Sequence, residues 1–248
     1  MSLRSTLLRV YWAMRGVIAP KLRYSQESYE DVLTQHVQIG TRWIDIGCGH
    51  SILPPWRLEK ERRLAKTCQV VAGIDYDLDS LKSHSTISWR IRGDIRRLPF
   101  KEESFDLVTA NMVVEHLDSP EGQFLDINRI LRPKGCFVFH TPNARGHAVL
   151  MSRLVPDWLK GKLIYLLDGR LENDVFETHY MANTEKEVIA LARVTGFEVE
   201  NVELITTDAV FSSVPPIAFF ELLWIRALMT ESFRSLRTTM IVVLRKVS

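Results

Sequence analysis

Trp43-Ile44-Asp45-Ile46-Gly47-Cys48-Gly49-His50-Ser51 runs a short apolar strand straight into a glycine-bearing turn, and the fold follows from how this stretch is read. Glycines there let the backbone approach a ligand closely before turning into a helix whose amino end faces it. A dinucleotide site wants Gly-x-Gly-x-x-Gly, but the third glycine position holds Ile52. Asp45 stands two residues before the first glycine, a poor neighbour for a pyrophosphate and a good one for an ammonium group. The loop therefore speaks against a nicotinamide-dependent oxidoreductase and for a zwitterionic, cationic ligand.

Outward from this loop, short β-prone apolar runs alternate with helical patterns. Trp43 to Ile46, Val70 to Ile74, Ile87 to Ile91, Phe105 to Ala110 and Phe137 to Phe139 are the expected strands. Strand and helix repeated in this order imply an α/β protein, a doubly wound and mostly parallel sheet with both faces covered. One connecting helix has Asp118 or Ser119 as its cap, Pro120 in its first turn, Phe124, Ile127 and Leu131 on one face, and Pro133-Lys134-Gly135 as its stop. Another opens at Thr184, with Glu187 completing a capping-box pattern, and ends at Gly196. Phe197 to Ile205 and Met240 to Leu244 read as two final strands.

The domain plan is an amphipathic helical segment over residues 1–34 and one large domain over 35–248, carrying an insertion at 206–235 before the last strand. Within the first segment, Leu3, Leu7, Val10, Met14 and Val17 recur at helical spacing over residues 3 to 18. Its basic polar face and Trp12 also suit a membrane surface. The centre of the insertion, Val214 to Ile225, is too apolar for a solvated loop, so it must bury against something. It is expected to cover the ligand edge of the sheet.

Two further acids carry chemistry. Asp75 ends the second strand, where it can accept hydrogen bonds from ribose hydroxyls. Asp94, in Arg92-Gly93-Asp94-Ile95 after the third strand, can accept from an exocyclic amine while an apolar neighbour packs the ring face.

Taken in order, these pieces resemble the class I S-adenosylmethionine-dependent methyltransferases, in the broad group that includes quinone-biosynthesis methyltransferases. The resemblance is strong over residues 40 to 142, including Val113-Val114-Glu115-His116-Leu117 and Leu131-Arg132-Pro133-Lys134-Gly135, and weaker to residue 205. It implies a Rossmann-like seven-stranded sheet whose last strand is antiparallel, with S-adenosylmethionine across the carboxyl ends of the first strands. Carried over by position, Asp45, Gly47 and Gly49 border the methionine moiety, Asp75 the ribose, Asp94 and the backbone of Ile95 the adenine, and Asn111 the methionine amine. Two departures stand out. Ser51 replaces the usual third small residue of the loop, and 30 residues (75 − 45) separate the two acids where roughly 20 are expected, an enlargement around Pro54-Pro55-Trp56.

Methyl transfer from a sulfonium is a direct displacement, so the protein must hold donor carbon and acceptor about 3 to 3.5 Å apart and exclude water. A hydroxyl acceptor adds the need for a general base. His116, just past the fourth strand, ranks ahead of His140 at the end of the fifth, and His179-Tyr180 lies in a loop able to close over the site. Some similar quinone O-methyltransferases carry Glu-x-x-Glu-His around a metal. Met112 stands at the first of those carboxylate positions, so no metal is expected.

With 46% hydrophobic and 25% charged residues, 248 residues suffice for a full core. A net charge of +2 is too close to neutral to argue for a nucleic-acid partner, which wants a concentrated basic face. Three cysteines without zinc-site spacing suggest neither a disulfide frame nor a structural metal, and fit a reducing, cytoplasmic setting with a peripheral membrane contact as an extension. No secretory signal or membrane span is read. The acceptor is a small or lipid-linked molecule. The rival function is a non-catalytic module of the same fold that still binds the cofactor and serves as a partner protein.

Overall fold

Runs such as Ile44-Asp45-Ile46 and Val108-Thr109-Ala110 are buried on both faces, the condition under which a strand reads as continuously apolar. In the computed structural model, which describes residues 3–154 and 177–247, these runs join one seven-stranded sheet. The elements in chain order are α1 (Leu3–Ile18), α2 (Ser25–His36), β1 (Arg42–Ile46), α3 (Leu58–Thr67), β2 (Val70–Asp75), α4 (Leu78–Ser83), β3 (Trp89–Arg92), β4 (Phe105–Asn111), α5 (Pro120–Ile130), β5 (Leu131–Pro142), α6 (His147–Leu154), α7 (Glu185–Val194), β6 (Phe197–Ile205), α8 (Pro215–Leu228) and β7 (Thr239–Lys246). The sheet order is β3-β2-β1-β4-β5-β7-β6, mostly parallel with the last strand antiparallel. This is the doubly wound class I methyltransferase fold.

β1 lies between β2 and β4, with Asp45 opposite Gly73 on one side and Thr109 on the other. The order reverses at β1 and β4, and in open α/β sheets ligands bind at the carboxyl ends of such strands. The core against this sheet is aromatic: Phe124 of α5 meets Phe137, Phe139 and Phe197 edge to face.

Several boundaries differ from the sequence reading. Leu131 does not lie on α5; it opens β5 opposite Phe105, and Pro133 and Gly135 sit in the irregular stretch between Phe105 and Leu107 of the partner strand. A bulge there admits the proline that a regular central ladder would reject. Ser119 is the N-cap of α5 by position, but no side-chain cap bond is made. Thr184 does cap α7, accepting from the Glu187 amide, while Glu187 reaches back to the Asn183 amide rather than to that of Thr184. The helix α2 falls at the end of the helical segment expected over 1–34 but runs to His36; its faces are mostly polar, and its buried apolar set is Tyr29, Val32 and Leu33.

The chain clusters into two compact units, one of residues 1–25, 142–177 and 204–240 and one of residues 26–141, 178–203 and 241–248. In the first, the 206–235 segment forms α8, and its Ala218, Leu222 and Ile225 bury against Tyr11, Ala19 and Leu22 of the amino-terminal segment. The one acid of α8, Glu221, is buried and accepts from the Val210 and Phe211 amides at 2.8 and 3.0 Å. The second unit holds the glycine loop and its surroundings.

Candidate active site

The turn after β1 has the geometry its glycines permit. Gly47 and Gly49 take φ of 66° and 51°, and the Gly47 amide donates to the Ile74 carbonyl at 2.8 Å. A Cβ on Gly47 would lie 2.5 Å from Val113 Cγ2, whereas one on Gly49 would meet nothing within 4 Å. Gly47 is therefore packing-limited, and Gly49 leaves space for a ligand against the backbone. The enlarged stretch that follows is pinned from beneath by Glu61, fully buried, which accepts from the Leu53 amide at 2.8 Å and from the Thr86 hydroxyl. Burial raises the Glu61 carboxyl above its ordinary range.

Asp45 is 1% exposed and accepts from the Thr109 hydroxyl of β4. That hydroxyl also accepts from Trp43 Nε1 at 2.7 Å. Burial pushes the Asp45 carboxyl well up, and the carboxylates of Glu61 and Asp75 add to the rise. A cation brought to this loop would relieve that penalty. Asp75, half-buried at the end of β2, holds the Gly49 amide with Oδ2 at 2.7 Å and the Asp77 amide with Oδ1 at 2.8 Å. Each of these oxygens keeps a second lone pair for a further donor.

Asp94 lies in the exposed loop after β3 and pairs with Arg96, its Oδ2 2.5 Å from Nη2 and its Oδ1 2.9 Å from the Arg96 amide. These bonds hold its carboxyl below the usual carboxylate range. Ile95 beside it is half-buried. Asn111, the last residue of β4, binds the Ile52 carbonyl at 3.1 Å and exchanges amide bonds with Gln26 of α2 at 2.9 and 3.1 Å.

His140 ends β5 opposite Asn111. Its Nδ1 lies 3.0 Å from Asn111 Oδ1, and its ring stacks on Tyr29 at 5.7 Å between centroids. The Gln26 amide nitrogen lies farther from the same Nδ1, at 3.5 Å; the shorter contact to the Asn111 oxygen favours the proton on Nδ1, with Nε2 as the acceptor. Nε2 has no partner among the described residues. Burial lowers the His140 imidazole to about 4. His116 closes a short 3-10 turn, Val114–His116, and is half-buried. Its neighbour Glu115 is buried; its carboxylate accepts from Thr141 at 2.9 Å, and its carbonyl accepts from the His179 and Tyr180 amides at 2.8 and 3.1 Å. Glu115 thus ties the His179 segment to the end of β4. Met112 between these residues has φ 58°, a conformation that costs a side-chain-bearing residue about 1 kcal/mol or more.

The residues brought together at this edge are Gly47, Gly49, Asp75, Asn111 and His140, with Asp45 beneath the loop and Asp94 and Ile95 in the loop after β3. Sequence reasoning missed Gln26, Tyr29 and Glu61. The only signals for them were an apolar spacing in a polar helix and an acid in the enlarged loop.

Residues 44–139 match a methyltransferase domain. Over 114 residues, 43% of the chain, it is 31% identical to malonyl-[acyl-carrier protein] O-methyltransferase of Legionella pneumophila. Over 156 residues, 60% of the chain, it is 25% identical to ubiquinone biosynthesis O-methyltransferase of Coxiella burnetii. The chain spans 38% of the first relative's length and 63% of the second's. An S-adenosylmethionine dependent methyltransferase structure from Mesorhizobium loti superposes with a TM-score of 0.58 at 20% identity, over 88% of this chain and 96% of that one. The stretch 44–139 is thus similar to a methyltransferase domain, and the chain shares its fold with a solved S-adenosylmethionine dependent methyltransferase. Among the described residues no helix is long and apolar enough to cross a membrane.

Proposed function

We propose that the whole protein transfers the methyl group of S-adenosylmethionine, by in-line displacement, to a small-molecule or lipid-linked acceptor. The observation that carries this reading is the open face of Gly49 held by Asp75 at the switch point of the sheet, next to Asp45, a buried acid whose carboxyl is pushed up by burial. Gly47 and Gly49 flank the methionine moiety with the negative field of Asp45 beneath, Asp75 accepts from the ribose hydroxyls, Asp94 and Ile95 meet the adenine, and Asn111 faces the methionine amine. The chain's own work is to bind and orient the donor and to keep water from the sulfonium; the cofactor supplies the electrophilic carbon.

His116 and His140 are the proposed bases for a hydroxyl acceptor. Held near 4, His140 is neutral at pH 7 but a weak base, which favours His116 for the proton and leaves His140 to accept a hydrogen bond through Nε2. Calorimetry with S-adenosylmethionine, S-adenosylhomocysteine and NADH tests the reading: the first two bind and NADH does not. Tight NADH binding would overturn it. His116→Ala and His140→Ala retain cofactor affinity and lower turnover. Methyl transfer persists after exhaustive chelation at a temperature where the chain stays folded.

A lipid-linked acceptor at a membrane surface is favoured by the first unit. Trp12 and Val17 of α1 and Phe220 and Leu223 of α8 are exposed, and the exposed charges on these two helices include Arg9 and Arg226. Sedimentation with anionic vesicles at low salt checks this extension; a chain left wholly in the supernatant sinks it without touching the methyl-transfer reading.

A further inference from the structure

At the amino-terminal ends of the strands, within the second unit, lies a cleft of about 680 Å³ lined by residues that the methyl-transfer reading does not use. It contains His36 from the end of α2, Cys136 from β5 and Glu200 from β6. One ligating atom from each, an imidazole nitrogen, the thiol sulfur and a carboxylate oxygen, lies within 4.8 Å of the other two. We propose that His36, Cys136 and Glu200 bind a divalent cation of the zinc type, with its fourth position open to the cleft.

The orientation of each ligand supports this assignment. His36 Nδ1 lies 2.9 Å from the Val32 carbonyl, so that nitrogen carries a proton and Nε2 presents a lone pair. Nε2 points at Glu200 Oε1, 3.5 Å away. With Nε2 unprotonated, these two acceptors face each other across a space that a metal ion fits. The other carboxylate oxygen, Oε2, is occupied by Arg245 through Nε at 2.7 Å and Nη2 at 2.5 Å, which leaves Oε1 for the cation. Metal ligands are commonly held by outer partners of this kind, a carbonyl behind the histidine and a hydrogen bond behind the carboxylate.

A proton on Nε2 would also bridge His36 and Glu200, as a simple ion pair. It gives no role to the thiol of Cys136, which is free and buried beside them. Nitrogen, sulfur and oxygen donors together suit zinc, and a thiolate with a carboxylate neutralises its charge. Ligand atoms about 2.0 to 2.3 Å from a tetrahedral ion stand roughly 3.3 to 3.8 Å apart, so closure needs about 1 to 1.5 Å of movement. Glu200, whose side chain is 38% exposed, has the freedom to make it. Cys136 pairs with Leu107 and His140 with Asn111, which puts the cluster four residues, about 13 Å, down β5 from the methyl-transfer site. The bound ion would fasten the end of α2 to two strands of the sheet, a structural role.

The test uses the full chain, stripped with a chelator, dialysed, kept reduced and titrated with Co2+ as a spectroscopic probe. Expected are one equivalent per chain, a near-ultraviolet thiolate-to-cobalt absorption that Zn2+ abolishes by displacement, and loss of that absorption in Cys136→Ser but not in Cys68→Ser. Absence of the band, or its survival in Cys136→Ser, overturns the proposal. If Cys136→Ser fails to fold, His36→Gln carries the decision through competition with a chelating dye: Zn2+ affinity falls at least about tenfold, and an unaltered affinity overturns the assignment. Zn2+ should also raise the thermal midpoint of the wild type and leave that of His36→Gln unmoved.

Discussion

The two ends of the central strands handle polarity in opposite ways. At the carboxyl end, polar groups are buried without full pairing: His140 Nε2 has no partner among the described residues, the Asp45 carboxyl is pushed up by burial, and Gly47, Gly49 and Met112 all sit at positive φ. At the amino end most charges are matched, although Arg42 Nε is buried without a partner among the described residues. Asp106 accepts from the Arg42 amide at 2.8 Å and from Arg132 at 2.9 Å, and Arg245 closes on Glu200. Buried polar atoms left unmade cost about 1 to 3 kcal/mol each, so a fold retains them where something else supplies the partner. At the amino end, the facing acceptors of His36 and Glu200 are the corresponding anomaly.

The largest test of this contrast is Gly47→Ala. Its Cβ would press on Val113 in a backbone conformation that disfavours any side chain, and a loss of about 2 to 4 kcal/mol in denaturant unfolding is expected. Gly49→Ala, with open space around it, should lose only about 1 kcal/mol while weakening cofactor binding. Equal losses in the two variants would erase the distinction between a packing glycine and a ligand glycine.

Acid titration comes next. Imidazole titrates near 6.5 in the unfolded chain and His140 near 4 in the folded one. Between these values the unfolded state binds the extra proton, so stability is complete above about pH 6.5 and falls as pH drops toward 4, by up to about 3 kcal/mol. Unfolding free energies of the wild type and His140→Gln across this range should show a shallower slope in the variant. Parallel slopes would mean that the ring is not buried neutral.

Asp75→Ala should cost about 1 to 3 kcal/mol of S-adenosylmethionine affinity by calorimetry, because the ribose hydroxyls and the Gly49 amide lose an acceptor. Unchanged affinity would place the ribose elsewhere. The smallest effect belongs to the amino end: Arg132→Ala breaks a pair whose side chains are 40% and 36% exposed, and should cost less than about 1 kcal/mol, less still in high salt. A larger loss there would show that the matched edge carries strain of its own.

Legibility in the sequence followed burial and locality. β1, β2 and β4 are covered on both faces and were readable as apolar runs. β3 is largely exposed along Trp89–Arg92, and its run was read two residues early, on buried Ile87. β5 was read too short because Leu131 continues the helical spacing of Phe124 and Ile127, and only its pairing with Phe105 makes it a strand residue. The acids and glycines of the loops were visible because their neighbours in the chain define their setting. Gln26 was not, since its role exists only through Asn111, 85 residues away.

By itself the sequence determined the alternation of strands and helices, the left-handed turn after β1 and the acids that end or follow the strands, all properties set within a few residues. Tertiary structure alone decided that α8 finds its apolar partner in α1, that Gln26, Asn111 and His140 form one network, and that His36, Cys136 and Glu200 meet. The reason is physical: these contacts close loops of tens to nearly two hundred residues, and no local spacing records them, because register in the sheet and helix packing choose the partners only when the chain has folded.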